Sequence, residues 1–412
     1  MSMPISRRRA LISGAGIAAG LAVPGVAVPG AATAAGRPVR FTLNAETLDG
    51  GEQVTSVTLQ TAHLGRIDPR NLTTGTFSVH ATATSPIPSP PVLGEYDGDR
   101  AVTAARLDRR GNIVLDLASA EGQAGGGTLG YVVSRGRNVR LDLSYTITQN
   151  APLGNLVIGR FVQGPLSNRE VDAFGFGTSQ SGMKYRLYTP ESRGKRPLIV
   201  WLHGGGEGAS LPDGYYDNET TLRANRGALG FATPEAQRIF GGAYVVAPQS
   251  FSFWMEDGDR YAPLIREIVR DLVRRLPVDT DRIHVVGCSN GGYMSMKMTT
   301  VYPSLFASSV PICGIVGSLQ PGNPPLIPDE QLAAITTPTW LVTSLDDTTV
   351  PPEPNTIHAH SLIPGAEVTL YEHVIWNGHQ FPGHWSWIYV ARNDPALPGG
   401  TRIWQWMSRR RR

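Results

Sequence analysis

The sequence predicts two architectures in series. A small antiparallel all-β sandwich occupies residues 36–160, and an α/β unit, a mostly parallel sheet with helices on both faces, occupies residues 165–412. Three observations carry this. Residues 37–149 alternate apolar and polar side chains with period two, in short runs parted by Gly, Asp, Asn and Pro. After Pro152 the runs become continuously apolar and alternate with helical patterns, as buried parallel strands and their crossovers do. One of those runs, in Val285–Gly292 (VVGCSNGG), stops abruptly at G-x-S-x-G.

In chain order, the period-two strands are Val39–Leu43, Val54–Leu59, Thr76–Val79, Ile113–Leu117 and Val139–Leu143. The Pro-rich Pro86–Pro91 and the Gly-rich Gly122–Gly127 read as long loops between them. This region holds no nucleophile or metal pattern, so it is expected to be autonomous and to support the chemistry without performing it. The boundary falls near residues 150–170. Beyond it the apolar runs are Leu198–Leu202, Ala243–Ala247, Ile283–Val286, Ala307–Ile312, Thr339–Thr343 and Val368–Tyr371. The clearest helix is Asp259–Leu276, with Leu264, Ile265, Ile268, Val269, Leu272, Val273 and Leu276 on one face and Pro277 ending it.

Composition narrows the function. With 41% hydrophobic and 17% charged residues in 412, the chain is ordinary globular material with room for two cores. Its formal charge of +3 equals the contribution of Arg7, Arg8 and Arg9, so nothing favours nucleic acid or an anionic membrane as partner. Those arginines precede an Ala/Gly/Val-rich stretch and Ala32-Thr33-Ala34, the pattern of an export signal cleaved near residue 35. The paired arginines resemble the twin-arginine type, implying a secreted bacterial protein. Gly14, Gly16, Gly20, Pro24, Gly25 and Pro29 argue against a stable membrane anchor. The two cysteines, Cys288 and Cys313, rule out a disulfide framework, leave open one bridge or two buried thiols, and form no zinc pattern. No metal and no cofactor is expected.

The chemistry starts at Ser289. A serine on a sharp turn between the strand Arg282–Val286 and a helix from Tyr293 to Tyr302 is lifted clear of the backbone, ready to act as a nucleophile once a base takes its proton. Upstream, His203-Gly204-Gly205-Gly206 follows a strand and offers backbone N–H groups for an oxyanion; Gly205 and Asn290 are the expected donors. Downstream, Ser344-Leu345-Asp346-Asp347-Thr348-Thr349-Val350-Pro351 supplies the acid, Asp347 ahead of Asp346. His384 in Gly383-His384-Trp385-Ser386-Trp387 supplies the base, with His379 as runner-up; His373, His358 and His360 read as packing or surface residues. Trp254, just past the fourth strand, is the expected pocket wall, and the polar insert Leu211–Asn225 a lid or a substrate wall.

The order Ser289, Asp347, His384 is that of the α/β-hydrolase fold. With the H-G-G-G loop, the D-x-x-V-P spacing after Asp347 and the G-H-x-S-W context of His384, residues from about 170 onward resemble secreted esterases and depolymerases. These are related to polyhydroxybutyrate depolymerase and feruloyl esterase, and shade into prolyl-oligopeptidase-type hydrolases. The whole resembles bacterial esterases with an N-terminal immunoglobulin-like domain. The resemblance implies a serine hydrolase acting on carboxylic esters, polymeric or phenolic esters among them. The alternatives are a serine peptidase or amidase of prolyl-oligopeptidase type and a non-catalytic binding protein on a hydrolase scaffold. Some feruloyl esterases link a cysteine beside the nucleophile to one beside the histidine; Pro382, Gly383 and Trp385 exclude that bridge here.

Overall fold

A computed structural model describes residues 38–87, 91–209, 215–320 and 322–412. The expected export signal at residues 1–35 lies outside them. Among the described residues no helix is long and apolar enough to cross a membrane.

The front region is built from two sheets. One runs, edge to edge, Phe161–Ser167, Val39–Leu48, Gly51–Leu59, Ile113–Leu117 and Val102–Leu107; the other runs Tyr96–Arg100, Phe77–Thr84 and Asp142–Gln149. Alternation along Val39–Leu48 and Phe77–Thr84 sends Phe41, Leu43, Phe77 and Val79 inward, where they meet Leu59, Ile113 and Ile147 in one core. The strand Phe161–Ser167 pairs in parallel with Val39–Asn44, so the all-β region reaches residue 167, past the expected end at 160. A separate hairpin, Leu129–Val132 with Arg137–Arg140, leans away toward the second region.

In that second region eight strands form one sheet, numbered here β1 Phe174–Thr178, β2 Lys184–Tyr188, β3 Arg196–Leu202, β4 Tyr244–Pro248, β5 Val278–Cys288, β6 Ser308–Ile312, β7 Trp340–Ser344 and β8 Glu367–Tyr371. Their order is β1-β2-β4-β3-β5-β6-β7-β8, antiparallel at β1-β2 and β2-β4 and parallel elsewhere. The continuous apolar runs of β3, β4 and β5 are buried on both faces. One face packs on helix α1, Gly258–Arg275, through Tyr261, Ile265, Ile268, Val269 and Leu272. Leu264, Val273 and Leu276, expected on the same stripe, are only partly buried at its margin. The opposite face packs on the C-terminal segments carrying Trp387, Trp404 and Trp406. Since β3, β5, β7 and β8 are parallel, the loops after them emerge at one edge of the sheet, where open α/β sheets bind ligands.

The two regions are joined by buried charge. Glu52 binds Arg223 directly, accepts from Asn168 Nδ2 at 2.7 Å and from Thr128 Oγ1 at 2.6 Å. Asp49 pairs with Arg392 at 2.8 Å, and Arg226 donates to the Thr47 carbonyl at 2.7 Å. Two buried carboxylates of the front region, Glu52 and Asp49, and the Thr47 carbonyl thus have partners beyond residue 165, so the two regions share a buried polar joint.

Candidate active site

Ser289 terminates β5 and precedes helix α2, Asn290–Val301, with φ 53° and ψ −117°. A left-handed serine is strained, and the surroundings hold it there: its N–H donates to the Ile312 carbonyl at 2.8 Å and its carbonyl accepts from Tyr293 N at 3.0 Å. The flanking glycines are required by space. A Cβ on Gly291 would lie 2.0 Å from the Leu202 carbonyl oxygen, and one on Gly287 would lie 2.3 Å from that of Gly291.

Asp347 follows β7 and is almost fully buried. Its Oδ1 accepts from the N–H groups of Thr349 and Val350, both at 2.9 Å, which explains the D-x-x-V spacing as a carboxylate-closed turn. Its Oδ2 meets His384 Nδ1 at 2.8 Å. Burial alone would lower the His384 pKa, but the Cys313 sulfur and the hydrogen bond to Asp347 outweigh it and push the value up to about 10. Asp346 makes a different pair, with His373 Nδ1 at 2.8 Å, and packs where a Cβ on residue 383 would stand, so Gly383 is fixed by Asp346. His379 lies on the small hairpin Val374–Trp376/His379–Phe381, edge-on to the Phe381 ring at 4.5 Å between centroids.

Ser289 and His384 line one cavity of about 570 Å³, together with Gly204, Gly205, Gly206, Glu207, Phe253, Trp385 and Trp387. Gly205 opens a short 3-10 turn and Asn290 is the first residue of α2, where backbone N–H groups have no intrahelical partner. The loop before them is fixed by His203, fully buried, whose pKa burial lowers to about 3. Its neutral ring donates from Nδ1 to the Gly204 carbonyl at 2.6 Å and accepts at Nε2 from Ser250 N at 3.0 Å.

Trp254 is not the pocket wall. It is fully buried, donates from Nε1 to the His203 carbonyl at 3.1 Å and packs edge-on against Tyr261 at 5.1 Å, so its indole pins the loop from behind. The adjacent Phe253 faces the cavity instead. Nor is the described part of the 211–225 insert a free lid: Tyr215 accepts from Arg140 N at 2.5 Å, Tyr216 donates to the Gln249 carbonyl at 3.0 Å, and Arg223 holds Glu52. Cys288 and Cys313 are free, buried thiols; burial raises the pKa of Cys288 well above the ordinary thiol value, and Cys313 donates to the His384 carbonyl at 3.3 Å. Ligand atoms of Cys313, Asp347 and His384 lie within 4.8 Å of one another, a spacing that could hold a metal but is accounted for by these hydrogen bonds.

Sequence reasoning missed two sets of residues. Glu207 lies behind the glycine loop with one oxygen buried and unpartnered; burial raises its pKa to about 7. The front region's hairpin reaches the same loop. Arg137 donates to the carbonyls of Gly205 at 3.5 Å and Ser252 at 3.2 Å and lies 3.9 Å over the Phe253 ring, and Asn138 Nδ2 donates to the Gly206 carbonyl at 3.2 Å. Only the glutamate, three residues past Gly204, stood beside a motif that could have drawn attention to it.

No protein-family model matches the chain. It is 28% identical over 153 residues to poly(3-hydroxyalkanoate) depolymerase C of Paucimonas lemoignei, covering 34% of this chain and 33% of that protein. It is 27% identical over 156 residues to an acetylxylan esterase of Coprinopsis cinerea, covering 37% of this chain and 41% of that one. The aligned part thus spans about a third to two fifths of these curated relatives. The solved structure of a thermostable esterase superposes with a TM-score of 0.71 and 23% identity, covering 90% of this chain and 99% of that one. At such identity the likeness speaks for architecture alone, and with the strand order above it places the large sheet and its helices in the α/β-hydrolase fold.

Proposed function

We propose that the protein is a serine hydrolase of carboxylic esters. Ser289 attacks the ester carbonyl, His384 takes its proton and returns it to the leaving alcohol, and Asp347 holds the imidazole in the productive tautomer. The backbone N–H groups of Gly205 and Asn290 receive the oxyanion, where one such donor is worth about 3 kcal/mol. Water then enters by the same base and releases the acid. The observation that carries this reading is the left-handed Ser289 on one wall of a cavity whose other wall bears the Asp347-bound His384. The esterase and depolymerase names of the relatives support ester over amide substrates. Apart from His384, no basic side chain lines the cavity among the described residues, which favours an uncharged ester.

The test is covalent labelling with a fluorophosphonate probe, followed by a panel of p-nitrophenyl acyl esters, feruloyl esters and aminoacyl amides. Ser289→Ala should lose both labelling and hydrolysis with little change in melting temperature; full activity in that variant would overturn the reading. In the same proposal the protein is exported as a secreted bacterial enzyme, its signal removed near residue 35, and its front region is immunoglobulin-like. Replacing Arg7 and Arg8 by lysine should trap precursor inside the cell.

A further inference from the structure

The catalytic cavity adjoins a second one. A cavity of about 420 Å³ lies in the front region, and Gly50, Tyr131, Asn138 and Ala224 line both. Residue 50 keeps the junction open: a Cβ there would stand 2.8 Å from Glu121 Oε2 and 3.6 Å from the Trp385 ring. Glu121 is held in that corner by the N–H groups of Asp49 at 2.7 Å and Gly50 at 2.9 Å.

The chemistry of the second cavity is distinctive. Seven of its eighteen described lining residues are glycines, so much of its wall is bare peptide able to donate and accept hydrogen bonds. Gln123 and Asn138 add side-chain amides, and Tyr131, 40% exposed, offers a ring face. Among the described residues no Lys, Arg or His lines it, whereas Glu95 and the Arg223-bound Glu52 do, so an anionic ligand is disfavoured. Peptide groups, side-chain amides and carboxylate acceptors beside the exposed Tyr131 and Leu93 suit a chain of hydroxyl groups and apolar ring faces better than an aliphatic polyester, which has no hydroxyl to donate along its length.

We propose that this second cavity is a subsite for the carbohydrate remainder of an acylated oligosaccharide whose ester lies at Ser289. The inference rests on the ester-hydrolase reading and names its substrate class. The front region then supplies substrate contacts as well as anchorage, and the distance from Ser289 to the subsite selects chains over single sugars.

The experiment compares kcat/KM on p-nitrophenyl acetate, on acetylated xylose, xylobiose and xylotetraose, and on oligomers of 3-hydroxybutyrate. It uses the full-length protein and the variants Ala124→Trp, which fills the second cavity from an exposed loop, and Gln123→Ala, which removes one amide. The wild type should gain about ten-fold or more from acetylated xylose to the tetraose. Ala124→Trp should erase that gain, and Gln123→Ala should reduce it, each read as the ratio of oligosaccharide ester to p-nitrophenyl acetate. Turnover of p-nitrophenyl acetate without a chain-length gain on sugars, a gain confined to hydroxybutyrate oligomers, or ratios within about two-fold of wild type in both variants would overturn the subsite alone. Absence of any ester turnover and of Ser289 labelling in the wild type would instead remove the ester-hydrolase reading, and the subsite with it.

Discussion

Glu207 offers a quantitative test of the burial described behind the glycine loop. Its carboxyl is buried, and among the described residues Oε2 has no hydrogen-bond partner while Oε1 accepts a long bond of 3.3 Å from Asn225. Burial moves its pKa from 4.5 to about 7. Each pH unit of displacement corresponds to about 1.4 kcal/mol, so ionising this group in the folded state costs up to about 3 kcal/mol more than in the unfolded chain. The sign follows from proton counting. Between pH 4.5 and about 7 the folded protein binds more protons at Glu207 than the unfolded chain, so its contribution is full below 4.5 and is lost as pH rises to 7. Glu207→Gln keeps the shape and abolishes the titration. Urea unfolding of both proteins at pH 4.5 and pH 8 isolates the effect, since any pH-independent cost of the new amide cancels in the difference. The wild type should lose up to about 3 kcal/mol more than the variant over this interval. Equal losses would refute the claim that burial outweighs the backbone groups and the Asn225 amide beside the carboxyl.

Other outcomes follow from the same geometry. His384→Ala and Asp347→Asn should lower kcat by orders of magnitude, whereas His379→Ala and Asp346→Asn should change it modestly; a dead His379→Ala with an active His384→Ala would reverse the assignment. Because the His384 pKa is raised from 6.5 to about 10, kcat/KM should climb with pH across that window as the imidazole becomes neutral. The stability contributed by the His384 pair, complete below 6.5, should fall over the same window; a rate plateau already reached at pH 6 would contradict the raised value. Arg137→Ala removes two bonds to loop carbonyls and the stack on Phe253, and should lower kcat by about ten- to a hundred-fold with a smaller change in KM. Arg137→Lys should recover only part of it; kcat within about two-fold of wild type in the alanine variant would show that the loop holds itself. A chain beginning at residue 165 takes Glu52 from Arg223, which keeps Glu219, and Asp49 from Arg392, and bares the apolar and polar surface those residues cover. It should be insoluble or melt far below the full protein; a soluble truncation with normal Ser289 labelling would show the joint to be dispensable.

The alternation in Val39–Leu48 and the unbroken apolar runs at Leu198–Leu202 and Ile283–Val286 report local burial, and local burial is what a sequence pattern records. The pairing of His384 with Asp347 rather than Asp346 was legible for a related reason: the backbone turn that orients the carboxylate is written in the spacing from Asp347 to Val350. Trp254 was misread because an aromatic beside a strand end looks the same whether it faces a cavity or the back of a loop, and here one bond to the His203 carbonyl decides. Arg137 and Asn138 were invisible because they act on Gly205 and Gly206 from 68 residues away in sequence. No local pattern encodes such a contact, and the pairs that Glu52 and Asp49 make across the joint were invisible for the same reason.

The parallel pairing of Phe161–Ser167 with the first described strand has a consequence for how the chain acquires its shape. Val39–Leu48 forms an antiparallel hairpin with Gly51–Leu59 as soon as both exist, but its other edge stays unpaired until residue 161 arrives. A loop of that length closes at modest extra entropy, though slowly relative to a hairpin. During that interval an exposed strand edge carrying Phe41 and Leu43 on its buried face is a template for association between chains. The slow and aggregation-prone stage of refolding should therefore belong to the front region. Dilution, which slows association between chains without changing the intramolecular step, or a pre-formed C-terminal edge strand supplied in excess, which covers the open edge, should raise the refolding yield more than any stabilisation of the α/β core.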